Sequence, residues 1–138
     1  MSSTDKVLYT CRTHTTGGRD GTSRSDDGRL EVELSTPGSR GRGTNPEQLF
    51  AAGWSACFEG AIALAAKERR IVLPTDPSIN AEVDLNLGAN GYYLRARLAV
   101  RLAGVEHEVA QALVDRAHET CPYSKTVRGN VDVAINLV

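Results

Sequence analysis

Apolar and polar residues alternate most regularly in the second half of the chain. Residues 81–87 carry apolar side chains at every second position, with acidic or amide side chains between them, and the alternation resumes over 92–102. This pattern is typical of strands with one buried face, and the short Gly-Ala-Asn-Gly turn between the two runs predicts a β-hairpin. Residues 131–137 alternate in the same way and predict a final strand.

Two other segments have the spacing and the boundaries of helices. The first begins after Asn45, which can cap a helix, and Pro46 suits the first helical position. It has to end before Pro74, which cannot continue it. The second helix is predicted over about 106–120, and Pro122 is predicted to end it.

The N-terminal part favours short strands. β-type segments between residues 6 and 34 are broken by the turn-rich pieces GGRDG and SDDG, which predicts a small antiparallel meander. Residues 35–44 have no periodicity and predict a mobile loop. The sum predicts an α+β fold, with antiparallel sheets packed on a long buried central helix and a second helix, in a single domain over 1–138.

The composition argues against nucleic acid and membranes as partners. The 138 residues are 41% hydrophobic and 24% charged, with a formal net charge of −1, so we expect neither nucleic acid nor an anionic membrane surface as a partner. Residues 49–66 carry one charge, Glu59, and match a bilayer span in length. Alanines, two glycines and the mid-span carboxylate make insertion unfavourable, so we expect a helix buried on all sides. The N-terminus lacks a secretory signal, which predicts a cytoplasmic protein.

Three cysteines are the candidate reactive groups. An odd number of cysteines in a chain without a secretory signal argues against a structural disulfide framework. The thiols are then expected to be reduced, metal-bound or redox-active. Cys57, among apolar residues, is either a small core residue or a nucleophile that needs a nearby cation. Cys121, at a helix end before Pro122, is either a packing residue or a resolving thiol. Cys11, in a predicted strand, is expected to be structural.

Two rival uses of these residues have weaker support. A zinc site generally needs closely spaced cysteine pairs, which the sequence lacks, although His107 and His118 could add ligands from one helix. A Cys–His hydrolase is supported only by the bare presence of three histidines. Glu47 and Arg19 also stand out, although an acidic residue in a first helical turn and an arginine at a hairpin tip are common without any function.

Three motifs together resemble a known family. TNPEQLFAAGWSACF (44–58), GGRDG (17–21) and CPYSK (121–125) are similar to the organic hydroperoxide resistance proteins of the osmotically inducible protein C superfamily. The likeness extends over nearly the whole chain. It implies an interwound homodimer with sites at the subunit interface and a cysteine-based peroxidase that reduces organic hydroperoxides in antioxidant defence.

The resemblance also assigns roles to individual residues. It implies that Cys57 is the peroxidatic thiol, that Cys121 resolves its sulfenic acid into a disulfide, and that Arg19 and Glu47 complete the catalytic set. A guanidinium beside Cys57 would favour the thiolate, and a bidentate pair would hold that guanidinium in place. The aromatic residues Phe50, Trp54 and Phe58 are expected to form an apolar wall that binds the organic part of a peroxide. The alternative is that they are residues of the hydrophobic core.

The spacing of Glu47 and Cys57 constrains this site. Ten residues on a continuous helix correspond to about 15 Å of rise and about 80° of rotation, so the two side chains cannot share a small site on one straight helix. Either Gly53 marks a break, or the residues meet across two subunits. The interwound dimer of the family is compatible with the second option.

The resemblance implies an external reductant rather than a bound cofactor. We expect no metal, haem or flavin, and re-reduction by dihydrolipoamide or a lipoylated protein. Two alternatives remain: a peroxidase that prefers hydrogen peroxide, and a non-catalytic redox sensor. The chain departs from the family at Trp54, where a tyrosine-type aromatic is frequent, and in its short loop before NPEQ. A carboxylate at Glu59 would raise the pKa of the thiol if it lay nearby.

Overall fold

A computed structural model describes residues 4–138, which form two compact units. The described part of the first unit runs from residue 4 to Pro46, and the second from Glu47 to Val138. The expectation of a single domain therefore stays a prediction.

The N-terminal unit contains the predicted meander. Its strands are short because polar residues dominate them, and residues 5–12 lie outside any strand, contrary to the prediction. The antiparallel order is β1-β2-β3, with Thr16 opposite Thr22 across the tight GGRDG turn. The elements are β1 (Thr13–Thr16), a 3-10 turn (Gly18–Asp20), β2 (Thr22–Ser25) and β3 (Glu31–Glu33).

The loop over 35–44 is closed at its base by hydrogen bonds. Leu34 and Thr44 form an isolated bridge, and the amide of Gly43 donates to the hydroxyl of Ser35 at 2.8 Å. Thr36 donates from its amide and its hydroxyl to the carboxylate of Asp20, at 3.0 and 2.9 Å. The loop is thus tied to the turn that carries the GGRDG motif.

The C-terminal unit holds the helices and the longer sheet. The hairpin has the register that the alternation predicts, with Ala81 opposite Leu98 and Leu85 opposite Leu94. Its elements, with the first helix starting at the boundary between the units, are α1 (Pro46–Glu68), β4 (Ser78–Gly88), β5 (Gly91–Arg101), α2 (His107–Thr120), α3 (Pro122–Val127) and β6 (Asp132–Leu137).

The last strand lies parallel to its neighbour. The order is β4-β5-β6, and β6 pairs with β5 in the parallel sense, with Leu98 opposite Ile135. Two helices connect these strands, which is the long crossover that a parallel pair requires. The α+β class is confirmed, and the second sheet is mixed rather than wholly antiparallel.

One cluster forms the core of this unit. It joins one side of α1 to the inner faces of β5 and α2, so the sheet and both long helices share their buried surfaces. Its fully buried large side chains include Trp54, Phe58, Ile62, Leu98, Val100, Leu113 and Val114.

Helix α1 is buried on one side only. In residues 4–138 it is the one helix long and apolar enough to cross a membrane, but Trp54 and Phe58 on its inner side are fully buried in protein. Ala52, Ala56 and Leu64 are exposed on other sides. The expectation of a helix buried all round is therefore wrong for a single chain. Small apolar residues occur on all sides of α1, so the sequence has too little hydrophobic periodicity to show which side is buried.

The short helix α3 was not predicted. Cys121 separates it from α2 with an extended backbone, φ −60° and ψ 123°, as expected for a residue before proline. Pro122 then occupies the first turn of α3. Proline at a first helical position was the signal that could have revealed a new helix, because it ends one helix and suits the start of the next.

Candidate active site

Two thiols lie in contact although they are far apart in sequence. The Sγ atoms of Cys57 and Cys121 are 3.3 Å apart, with Cys121 as donor to Cys57. The S–S bond of a disulfide is about 2.05 Å long, so both cysteines are reduced thiols. Their sulfurs are close enough to form a disulfide after a small movement. Cys121 is fully buried and Cys57 is half-buried. A reagent therefore has access to Cys57 first.

The packing of α3 on α1 holds this pair. Trp54 precedes Cys57 by three residues, and Ser124 follows Cys121 by three. The indole Nε1 of Trp54 donates to the hydroxyl of Ser124 at 3.2 Å in a fully buried contact. This bond joins the two elements beside the thiols and satisfies two polar groups that would be costly to bury unpaired.

Tyr123 lies across α1 next to the thiols. Its ring centroid is 6.1 Å from that of Phe50, which in turn contacts Trp54 at 5.5 Å. Its hydroxyl lies over Gly53, where a Cβ atom would come within 2.6 Å of it.

Burial raises the pKa of the Cys57 thiol above its ordinary value. The amide of Tyr123 opposes this by lowering the pKa, and the adjacent Cys121 raises it, because charge on one sulfur disfavours charge on the other. The C-terminal unit by itself therefore keeps Cys57 protonated, and a thiolate at neutral pH needs a cation. Glu59 is not among the groups that shift the pKa of Cys57. The pKa of Glu59 itself is raised by burial and then by the nearby Asp76.

Arg19 lies in the 3-10 turn of the N-terminal unit. Gly21 closes this turn, since a Cβ there would stand 1.7 Å from the carbonyl oxygen of Thr16. Together with the hydrogen bonds from Thr36 to Asp20, this fixes the backbone on the C-terminal side of Arg19. Arg19 has an interaction partner.

Glu47 lies in the first turn of α1 and also has a partner. The helix continues through Gly53 without interruption, so the option of a break at Gly53 is wrong. Ten residues of continuous helix separate Glu47 from Cys57 by about 15 Å along the axis. One copy of α1 therefore does not bring both side chains to a small common site.

The predicted aromatic wall is largely core. Trp54 and Phe58 have 0% exposure, so neither presents surface to a ligand, because both pack into the hydrophobic cluster of the C-terminal unit. Phe50 is half-buried and keeps some surface. Tyr123, 39% exposed and in contact with Phe50, was missed by sequence analysis. Its position two residues after Cys121 was the available signal.

The remaining candidate ligands and thiols do not gather at this site. Cys11 is exposed in the N-terminal unit rather than packed in a strand, because β1 begins only at Thr13. His118 contacts the ring of Phe58, and burial, followed by the nearby Arg128, lowers its pKa. Within residues 4–138, no three His, Cys, Asp or Glu side chains are grouped so as to hold a metal ion.

Comparison with known proteins decides the family. A sequence model for the OsmC-like protein family matches residues 36–136. The organic hydroperoxide resistance protein of Xanthomonas axonopodis pv. citri is 44% identical over 141 residues, covering 99% of each chain. The chain belongs to the OsmC-like family, among the organic hydroperoxide resistance proteins.

Solved structures of this family share the fold. The crystal structure of the organic hydroperoxide resistance protein OhrB of Bacillus subtilis is 43% identical, with a TM-score of 0.89 over 96% of this chain and 100% of that one. An organic hydroperoxide resistance protein from Legionella pneumophila is 44% identical, with a TM-score of 0.90 over 96% and 98%. The family resemblance inferred from the three motifs is thus confirmed.

Proposed function

We propose that this OsmC-like chain is a cysteine-based peroxidase that reduces organic hydroperoxides to alcohols. Its membership among the organic hydroperoxide resistance proteins supports a role in organic hydroperoxide detoxification and oxidative stress defence. The observation that carries the chemistry is the 3.3 Å contact between the sulfurs of Cys57 and Cys121. Two thiols at this distance can supply both electrons that cleave an O–O bond.

Each step of the proposed reaction balances. The Cys57 thiolate attacks the terminal peroxide oxygen, the O–O bond breaks, and the alkoxide takes a proton and leaves as the alcohol. Cys57 is then a sulfenic acid, and the Cys121 sulfur attacks it to form a disulfide and release water. An external dithiol restores both thiols by disulfide exchange. The partial exposure of Cys57 and the complete burial of Cys121 support this order of roles.

Arg19 is proposed to supply the cation that Cys57 requires, with Glu47 holding the guanidinium. The support is indirect: the surroundings of Cys57 in the C-terminal unit raise its pKa, and the family motifs put arginine and glutamate at these positions. Because α1 is continuous, Glu47 would act on the thiol pair of the partner subunit.

Arg19→Ala is expected to raise the pKa of Cys57 by about 1–3 units, the usual effect of losing a close opposite charge. The thiolate is the reactive form, so the pH–rate profile for oxidation should move to higher pH, with the rate recovering in alkali. The measurement is the alkylation rate of Cys57 against pH. Arg19→Lys, which keeps the charge but loses the fork, should shift less. An unchanged profile in Arg19→Ala would remove Arg19 from the mechanism.

The apolar surface beside Cys57 favours organic over inorganic peroxide. Phe50, on the same helix as Cys57, and Tyr123, two residues after Cys121, form a contiguous aromatic pair, and both retain exposed surface. Trp54 and Phe58 would support this surface from beneath. Such a surface adds binding energy for an alkyl or aryl group and none for hydrogen peroxide.

The function is tested by steady-state reduction of cumene and tert-butyl hydroperoxides with dihydrolipoamide as the electron donor. Hydrogen peroxide serves as the competing substrate. Sustained turnover with the organic substrates preferred supports the proposal, and a lipoylated protein is then the proposed physiological donor. Preference for hydrogen peroxide would favour the inorganic alternative. Oxidation that stops after one equivalent with every dithiol tried would favour a redox sensor.

The protein is proposed to act as a cytoplasmic homodimer. On β4 and β5, Leu85, Leu87 and Tyr92 continue the apolar face that is buried further along the hairpin, yet they are 43%, 69% and 75% exposed. Exposed apolar surface of this kind marks an interface. A second copy of the chain is the occupant that the family resemblance implies.

Leu87→Asp is expected to convert the dimer into a monomer, because it places a charge in the proposed contact opposite Tyr92. Light scattering at micromolar concentration measures the mass, against 14.8 kDa for one chain. Val72→Asp is the matched control, since Val72 is 91% exposed but lies outside the hairpin. A wild-type mass of one chain, or a dimer that survives Leu87→Asp, would contradict this interface.

A further inference from the structure

Ser124 is a polar residue at a position that favours an apolar one. Among residues 4–138 it is the only polar residue with no exposed surface at all. Burying a hydroxyl without a hydrogen bond costs free energy, and alanine would suit the helix better. Packing alone therefore does not explain a serine here. Its hydrogen bond does, because the fully buried indole of Trp54 donates from Nε1 to the Ser124 hydroxyl at 3.2 Å.

This hydrogen bond lies beside the contact between the two thiols. On α1, Trp54 precedes Cys57 by three residues, so the two side chains are neighbours on one side of the helix. On the facing element, Ser124 follows Cys121 by three residues, and Cys121 is the residue that begins α3. The hydrogen bond and the 3.3 Å sulfur contact therefore join the same two elements side by side.

The position of α3 depends on contacts of this kind. The helix has six residues, whereas an isolated helix needs about 12–15 to be even marginally stable in water. The extended backbone of Cys121 separates it from α2, so α3 does not continue that helix. Ser124 and Val127 are its two buried residues. An apolar contact such as that of Val127 has no preferred direction, whereas a hydrogen bond does.

We propose that Trp54 and Ser124 are a positioning pair: the hydrogen bond between their side chains holds the start of α3 on α1 and so keeps the Cys121 sulfur in contact with Cys57. The proposal rests on the proposed peroxidase function and deepens it. In that reaction Cys121 has to reach the Cys57 sulfenic acid before a second peroxide does. A thiol that is already held in place reacts as if it were present at a very high concentration.

The test measures how readily the two thiols form a disulfide when no peroxide is present. The reduced protein is equilibrated with mixtures of glutathione and glutathione disulfide. Each Cys57–Cys121 disulfide that forms converts one glutathione disulfide into two glutathione thiols. The equilibrium constant has units of concentration and is the effective concentration of one thiol beside the other. Every protein carries Cys11→Ser, because Cys11 is an exposed thiol outside the pair.

Ser124→Ala is the first variant. It removes one oxygen atom, and with it the acceptor for Trp54. Without the bond the start of α3 moves more freely in the reduced protein, and a disulfide has to suppress that movement. We therefore expect the effective concentration to fall by about 3- to 10-fold, the ratio that corresponds to the net free energy of one hydrogen bond. Thermal unfolding shows that the variant is folded at the temperature of the measurement.

Thr126→Val is the matched control. It also removes one hydroxyl from α3 and keeps the shape of the side chain. The hydroxyl of Thr126 donates to the carbonyl of Pro122 at 2.9 Å, within α3 itself, so it does not join α3 to α1. We expect the effective concentration in this variant to equal that of the parent.

Trp54→Phe removes the other partner of the bond and keeps an aromatic ring in the core. If the two side chains act through their mutual bond, Ser124→Ala lowers the effective concentration in the parent but has no further effect in the Trp54→Phe protein. A serine that acted through packing alone would have the same effect in both backgrounds.

The outcomes separate this proposal from the proposed function. The positioning role is wrong if Ser124→Ala behaves like the parent or like Thr126→Val, or if its effect persists undiminished in the Trp54→Phe protein. Turnover of the parent with organic peroxides is measured separately. Its absence would end the proposed function, and the glutathione equilibrium would still decide whether Trp54 and Ser124 position the two thiols.

Discussion

Cys57→Ser is expected to abolish peroxide turnover, with a loss of at least about a thousandfold in rate. Serine keeps nearly the same size, so the fold should persist, but its hydroxyl does not ionise near neutral pH and cannot attack the O–O bond. The measurement is consumption of cumene hydroperoxide with dihydrolipoamide in excess. Thermal unfolding of the variant shows whether the fold is kept.

Cys11→Ser is the matched control for this experiment. Cys11 is exposed in the N-terminal unit and is a free thiol, so replacing it tests whether any accessible cysteine suffices. We expect full activity in this variant. Activity that survives Cys57→Ser, or disappears in Cys11→Ser, would assign the nucleophile to a different thiol.

Cys121→Ser has the second largest expected effect. Without the neighbouring sulfur, Cys57 should react once to the sulfenic acid and then, in excess peroxide, proceed to the sulfinic acid. Sustained turnover with a dithiol should fall by about tenfold to a hundredfold, because the dithiol has to attack an exposed sulfenic acid instead of a disulfide. Mass spectrometry of the peptide that contains Cys57 should show a gain of two oxygen atoms.

A stability control belongs with this variant. Cys121 has no exposed surface, and a buried hydroxyl without a good partner costs about 1–3 kcal/mol. Cys121→Ala removes the thiol without adding a polar group and should show the same sulfinic acid in Cys57. A Cys57 that stays resistant to overoxidation in both variants would show that Cys121 is not the resolving thiol.

The sheet of the C-terminal unit could be predicted from sequence because its side chains alternate between two environments. Apolar residues occupy one face of β4 and β5 at every second position, and the Gly-containing turn sets the register. The parallel direction of β6 could not be predicted, since the same alternation serves either direction. It follows from the path of the chain through α2 and α3.

Helix α1 shows the opposite case. Its existence and boundaries were predictable from Asn45, Pro46 and the later prolines, but not its buried side, because alanine and glycine fit either environment. The same ambiguity concealed the close contact of Gly53 with Tyr123. A glycine inside a helix suggests a break or a close contact, and only the position of Tyr123 shows that it is a close contact.

The candidate site was predictable only through the family motifs. Cys57 and Cys121 are 64 positions apart, and no spacing rule connects them; the packing of α3 on α1 brings them together. The aromatic surface was predicted from the residues beside Cys57 in sequence. The neighbours that still have exposed surface, Phe50 and Tyr123, come from different helices.

The central claim is that Cys57 and Cys121 together deliver two electrons to an organic hydroperoxide. The most direct test is a titration of the fully reduced protein with cumene hydroperoxide, with free thiols, alcohol and disulfide-linked peptides measured at each point. One equivalent should consume two of the three thiols, yield one equivalent of alcohol and give a single Cys57–Cys121 disulfide, with Cys11 still free. Consumption of peroxide that leaves Cys121 as a free thiol, or that places Cys11 in the disulfide, would contradict the account.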